Sequence, residues 1–219
     1  MLAVFDVDKM VKTIILTAAL SGLRKSELMG LRWQDFNGTQ LNVRKTIWNG
    51  IPGEPKTKAS KAPIPVVKWL ADALEVHKLH AGVLAQPGLP IFQAGNGKPL
   101  NLDNLAHRVV TPAIEKCVKC RKPEADHKPE GHMFELDKTL AWHGWHAFRR
   151  GLATNLHELG VDDKTIQAIL RHSNISVTQN TYIKSVSKSQ VNAMDTLSEE
   201  LEKIETCNEL ATTEQGRVN

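Results

Sequence analysis

WHGWHAFRRGLATNLHELG, residues 142–160, reads as one helix with a chemical face. From Trp145 onward nothing in it breaks a helix, and Gly160 stands where a left-handed residue ends one. His146 and Arg149 are three positions apart, so they project from the same side of that helix. One offers an imidazole that titrates near neutrality, the other a permanent planar cation. That pairing can handle a proton and hold an anion at one place.

Working outward, residues 162–171 read as a further helix with Asp162 or Asp163 at its start. LRHSNISVTQNTYIK, residues 170–184, holds His172 and then a short helix leading to Tyr182, the one tyrosine of the chain. Residues 188–206 form an amphipathic helix with Val191, Met194, Leu197, Leu201 and Ile204 on one face, and residues 207–219 read as a disordered tail. Upstream, a helix runs from about Val7 to Leu20, Gly22 ends it, and a short helix spans about Lys25–Gly30. LRWQDF follows as an extended exit. QLNVRKTIW, residues 40–48, alternates apolar and polar as a strand does. NGIPGEP, 49–55, is turn chemistry, and APIPV, 62–66, returns as an edge strand. Residues 66–80 are an amphipathic helix, IFQ at 91–93 is a short strand or turn, and 101–117 resume helix with a break near Pro112. The expected fold is mainly α with a small antiparallel β-sheet, an α+β class.

The chain has 219 residues, long enough for one sizeable domain with its own core. Hydrophobic and charged contents of 41% and 24% are ordinary for a globular protein. No apolar run reaches the roughly 18–20 residues of a membrane span. The first ten residues lack a basic-then-apolar leader pattern, so the cytoplasm is the expected compartment. Of 28 basic and 24 acidic residues, three and seven fall after position 186, which leaves 25 against 17 in the body. A basic body with an acidic tail suits a polyanion-binding surface; a solvated surface of mixed charge is the alternative.

Three cysteines make no disulfide framework in a chain of this size. Cys117 and Cys120 instead form a CxxC pair, followed by His127 and His132 within CVKCRKPEADHKPEGH. Two thiolates and two imidazoles complete a tetrahedral Zn²⁺ shell with no open position for water, so the expected metal is structural. The alternative is a reduced thiol pair in a surface loop with scattered histidines.

Three separated segments, SGLRKSELMGLRWQDF (21–36), WHGWHAFRRGLATNLHELG and LRHSNISVTQNTYIK, together resemble the tyrosine recombinase (phage integrase) family in its catalytic domain. The resemblance runs from about Leu16 to Lys184. It implies that the protein is an enzyme that breaks and rejoins double-stranded DNA at specific sites through a covalent 3′-phosphotyrosyl intermediate, without ATP or a catalytic metal. It implies Tyr182 as nucleophile, Arg24 and Arg149 as phosphate clamps, His146 as acid/base group and His172 as hydrogen-bond donor to the phosphate. A hairpin lysine would protonate the leaving 5′ oxygen: Lys56 in its PKT context, with Lys58 as the alternative. Glu27 would brace the site. Arginine suits a phosphodiester because its fork donates to two oxygens and keeps its charge; a phenol, with a pKa of about 10, needs a base or a cationic field nearby.

The resemblance further implies a catalytic unit over 1–187, in which the 117–132 insert is not part of the general family pattern, and service to a mobile element; the helix at 188–206 would link protomers into a tetramer on DNA, the alternative being that its apolar stripe packs on its own domain. Its usual N-terminal DNA-clamping domain has no counterpart in the roughly 20 residues before Arg24, and ten residues from His172 to Tyr182 is a slightly long spacing. The competing reading is a non-catalytic DNA-binding relic.

Overall fold

The computed structural model describes residues 8–128, 131–138 and 140–172. The expectations for Tyr182, for the helix at 188–206 and for the tail at 207–219 lie outside these residues.

Helix α1 (Lys9–Ser21) starts at Asp8, whose carboxylate accepts from the Val11 amide at 3.0 Å. Its apolar face, Val11, Ile14, Ile15, Leu16 and Ala18, is fully buried. Thr13, Thr17 and Ser21 are buried too, and each hydroxyl donates to the carbonyl four residues earlier, so these three polar groups are paired within the helix. The helix stops at Gly22, in the left-handed region at φ 60°. A Cβ there would lie 2.8 Å from Leu170 Cδ2, so backbone and space both require glycine.

Helix α2 (Lys25–Gly30) follows with the expected bounds. The exit LRWQDF is not extended throughout: Trp33–Asp35 form a 3₁₀ turn, whose buried Asp35 carboxylate accepts from the Arg32 amide at 2.9 Å. The single strand expected at 40–48 is two. Strand β1 (Gln40–Leu41) pairs antiparallel with β4 (Ile64–Pro65), while β2 (Thr46–Trp48) pairs antiparallel with β3 (Ile51–Gly53). The cause is α2, which packs on β2 so closely that a Cβ on Gly30 would sit 2.3 Å from the Lys45 carbonyl oxygen. The turn expected over 49–55 shrinks to Asn49–Gly50, both at positive φ, because Ile51–Gly53 are drawn into the hairpin.

Helix α3 (Lys68–Ala81) buries Leu70 and Leu74 against α1. The helical run after Asn101 is not broken at Pro112. It passes from α4 (Leu102–Leu105) through a π-helical turn (Ala106–Val110) into α5 (Thr111–Ile114). A proline without an N–H, whose ring crowds the preceding turn, is accommodated by such widening. Helix α6 (Trp145–Glu158) packs on α1, and α7 (Asp163–Leu170), capped by Asp162, packs on α6 through Ala153, Ile166 and Leu170. Helices dominate and the sheets are small and antiparallel, as the sequence pattern implies. Among the described residues, no helix is long and apolar enough to cross a membrane.

Candidate active site

Arg24 sits at the N-terminus of α2 with extended backbone, just beyond the stop at Gly22. Glu27, one turn on, accepts from the Arg24 amide at 2.9 Å and from its guanidinium at 2.9 Å. The same carboxylate takes Arg171 Nη2 at 2.7 Å, so one buried anion holds two arginines that lie far apart in sequence. Burial opposes ionisation of Glu27, but Arg171 and Arg24 outweigh it and leave its pKa below the ordinary value. Arg171 also donates to the Ser60 carbonyl at 2.6 Å, and Arg24 Nη1 reaches the Ser60 hydroxyl at 3.4 Å. Sequence reading singled out neither Arg171 nor Ser60.

On α6, Arg149 is buried although charged. Its guanidinium donates to the Gly22 and Leu170 carbonyls, and Nε donates to His172 Nε2 at 3.2 Å. Three of five N–H groups are thus engaged in fixing the fork. Burial and then repulsion from Arg24 press its pKa down to about 9, and it stays cationic at neutral pH. Because Arg149 Nε can only donate, His172 Nε2 is an acceptor and the neutral ring carries its proton on Nδ1. Burial first, then Arg149 and Arg24, lowers the His172 pKa to about 4. His146 is shifted the same way, by burial and by Arg149, Arg150 and Arg24. Burial first, and then the cationic field around them, favour the neutral form of both imidazoles.

Arg24, His146, Arg149 and His172 line one cavity of about 120 Å³, together with Arg150, Ala153 and Leu170. Arg24 is also a wall of an adjoining groove of about 670 Å³ formed with the β2–β3 hairpin. That groove includes Lys56 and Thr57 as well as the apolar Trp48, Ile51 and Pro52. Lys58 is not among its lining residues; it precedes the 3₁₀ turn Ala59–Lys61. The Lys56 loop is tied back by Thr57 Oγ1 to Ser60 Oγ at 2.9 Å, and through Ser60 to both Arg24 and Arg171. Four of the six expected catalytic side chains therefore share a cavity and Lys56 lines the space beside it.

The remaining expected group, Cys117, Cys120, His127 and His132, forms a separate cluster, with one ligand atom from each residue lying within 4.8 Å of the other three. Cys117 Sγ lies 3.3 Å from His132 Nε2, and Cys120 Sγ 3.4 Å from His127 Nδ1. The backbone amide of Glu135, foremost, and those of Cys120 and Lys119 lower the Cys117 thiol pKa to about 6.

The sequence model described as "Phage integrase family" matches residues 5–188. The chain belongs to this family. A "Tyrosine recombinase XerC-like" protein of Caldanaerobacter subterraneus is 29% identical over 214 residues, covering 86% of this chain and 49% of that protein. The tyrosine recombinase XerC of Rhizobium meliloti is 28% identical over 158 residues, covering 72% and 40%. The chain thus spans about half the length, or less, of these relatives. Among solved structures, the Tn1549 transposon integrase in complex with transposon right end DNA superposes with a TM-score of 0.62 at 25% identity, over 85% of this chain and 58% of that one. XerA recombinase, at 16% identity and a TM-score of 0.58, covers 90% and 59% and shares the fold. The described fold is that of tyrosine recombinase catalytic domains.

Proposed function

We propose that this domain cleaves and rejoins double-stranded DNA at specific sites, with Tyr182 as nucleophile. The observation that carries the reading is the 120 Å³ cavity, which gathers Arg24, His146, Arg149 and His172 from three distant segments. It is edged by cations and holds two neutral imidazoles, the environment a phosphodiester and its developing charge require.

In this mechanism Arg24 and Arg149 bind the non-bridging oxygens of the scissile phosphate. His172, with its proton on Nδ1, donates to the same group. Tyr182 attacks phosphorus; a P–O bond to the phenol forms as the P–O5′ bond breaks. The phenolic proton passes to His146, whose depressed pKa keeps it an unprotonated acceptor at neutral pH. Lys56 delivers a proton to the departing 5′ oxygen. The phosphotyrosyl ester conserves the energy of the broken bond, so attack by another 5′ hydroxyl restores the strand without ATP. Glu27, Arg171 and Ser60 position these groups and take no part in proton or phosphoryl transfer.

Catalysis uses no cofactor, and the Cys117–Cys120–His127–His132 cluster holds a structural Zn²⁺. Residues 1–187 are the catalytic unit and residues 188–206 link protomers, four to an assembly on DNA. The enzyme works in the cytoplasm on behalf of a mobile element. Relatives of matching fold support the DNA substrate: the Tn1549 integrase is seen with transposon right end DNA.

The test is covalent capture on a nicked suicide duplex, whose short freed strand diffuses away after cleavage. The unaltered protein accumulates a protein–DNA adduct; Tyr182→Phe forms none while retaining salt-sensitive binding. Undiminished capture by Tyr182→Phe would remove the nucleophile assignment. Binding without capture by the unaltered protein would identify a DNA-binding relic.

A further inference from the structure

The Cys/His cluster takes no part in the steps above, yet it lies on the connection that delivers α6. We infer that its Zn²⁺ is a brace for catalysis: metal binding closes the α5–α6 connection and thereby sets the helix that carries His146 and Arg149. The inference rests on the zinc and recombinase readings just given.

The donor geometry fits the ion. Zn–S bonds of about 2.3 Å and Zn–N bonds of about 2.0–2.1 Å give a tetrahedron with edges of roughly 3.3–3.8 Å. Two of the four sulfur–nitrogen separations, 3.3 and 3.4 Å, fall on that scale, and all four ligand atoms lie within 4.8 Å of one another. His127 also carries the outer hydrogen bond that metal-bound imidazoles use to fix their tautomer. Its Nε2 lies 3.2 Å from the His132 carbonyl, which can only accept, so the proton is on Nε2 and the Nδ1 lone pair faces Cys120.

The segment has little else to hold it. Among the described residues from Val118 to Glu135 none is buried, and Met133 is 84% exposed. A stretch that buries so little apolar surface needs a cross-link to keep one conformation. The cross-link acts on a defined neck. Val118 donates to the Glu135 carbonyl and Asp137 to the Lys116 carbonyl, each at 2.8 Å, while Cys117 pairs with Leu136 and is fully buried.

From the neck the chain runs directly to the site. The Trp142 amide donates to Glu115 Oε1 at 2.9 Å, closing the base of the loop. Trp142 then packs edge-on against Trp145 and Phe148 on the first turn of α6, and Trp145 Nε1 is bonded to the Leu102 carbonyl. His146 is the next residue. Opening the neck would release this aromatic seat and with it the registration of His146 and Arg149 against Gly22 and Leu170.

The experiment combines metal analysis, hydrogen exchange and capture. Elemental analysis of the purified chain should give one zinc per protein, and cobalt(II) replacement should show the intense visible bands of a tetrahedral thiolate–imidazole site. Cys120→Ser and His127→Asn, both at half-exposed positions, should bind zinc more weakly by more than the roughly 10–100-fold that loss of an outer-shell partner costs. Stripping the metal should lower Tm by roughly 10 °C and remove amide protection at residues 145–150. It should also cut covalent capture about ten-fold, with re-addition of zinc restoring all three. Absence of zinc and of the cobalt spectrum would overturn the site. Full protection of residues 145–150 in the metal-free protein would overturn the brace even with zinc bound. If the zinc-loaded protein captures no DNA, the recombinase reading fails, while the exchange data still decide the brace.

Discussion

The arginine–histidine cavity and the Cys/His cluster each gather four chemically active side chains, and they do so by opposite means. The cavity brings Arg24 to His146, Arg149 and His172, more than a hundred positions along the chain, and its walls are fixed by buried bonds to Gly22, Leu170 and Glu27. The cluster takes all its members from sixteen consecutive residues and lies on a loop with almost no core. One site is a product of the whole fold; the other is drawn from a single short segment. On the readings proposed above, the cavity's arginines take a phosphate, whereas the cluster's thiols and imidazoles take Zn²⁺. The two should therefore respond differently to mutation, acid and chelation.

The largest effect is expected for Arg24→Ala. Arg24 is half-exposed, so its loss should leave the fold standing while removing one phosphate clamp. Single-turnover capture should fall about 10²–10³-fold, with zinc content unchanged. A loss under ten-fold would detach Arg24 from the chemistry. Next is Lys56→Ala, expected to slow capture about 10²-fold. A substrate with sulfur at the 5′ bridging position, whose leaving group needs no proton, should restore most of the rate. Rescue of Lys58→Ala instead would move the general acid by two residues.

Glu27→Ala should act on stability more than chemistry. It strands Arg171 and Arg24 beside a buried void, and breaking such a pair costs about 3–5 kcal/mol. Calorimetry should show it, with the Cys/His metal still bound. The smallest effect is in pH. His172 has a folded pKa of about 4 against about 6.5 unfolded. Below 6.5 the unfolded chain binds the extra proton, so stability present at neutrality is lost as pH falls from about 6.5 toward 4. His172→Asn should flatten that part of the Tm profile. Zinc would also be released by acid, but only that loss should be mimicked by a chelator at pH 7.5.

Much of this was legible locally. The helix at 25–30, the start of α7 at Asp162 and the Gly160 stop at the end of α6 are written in capping residues and periodicity, signals confined to a few positions. The Cys/His set was legible for the same reason. What was not legible depends on distant partners. Residues 40–48 alternate correctly, yet the ladder breaks because α2 crowds Lys45. Pro112 suggested a break, and the chain absorbed it as a wide turn within a continuing helix. Arg171 and Ser60 escaped notice because their importance lies in Glu27 and the Lys56 loop, and nothing near them in sequence names those partners.

Arg171 occupies a backbone position that side-chain-bearing residues avoid, with φ 55° and ψ 42°, where a glycine would be more at ease. Its guanidinium nevertheless reaches across to α2 and to the loop behind Lys56. The end of α7 is therefore moored rather than merely turned, and slackening that mooring would loosen the backbone that seats His172. Directed evolution of this domain should treat Arg171 as a steering point, where gains in local comfort trade against aim.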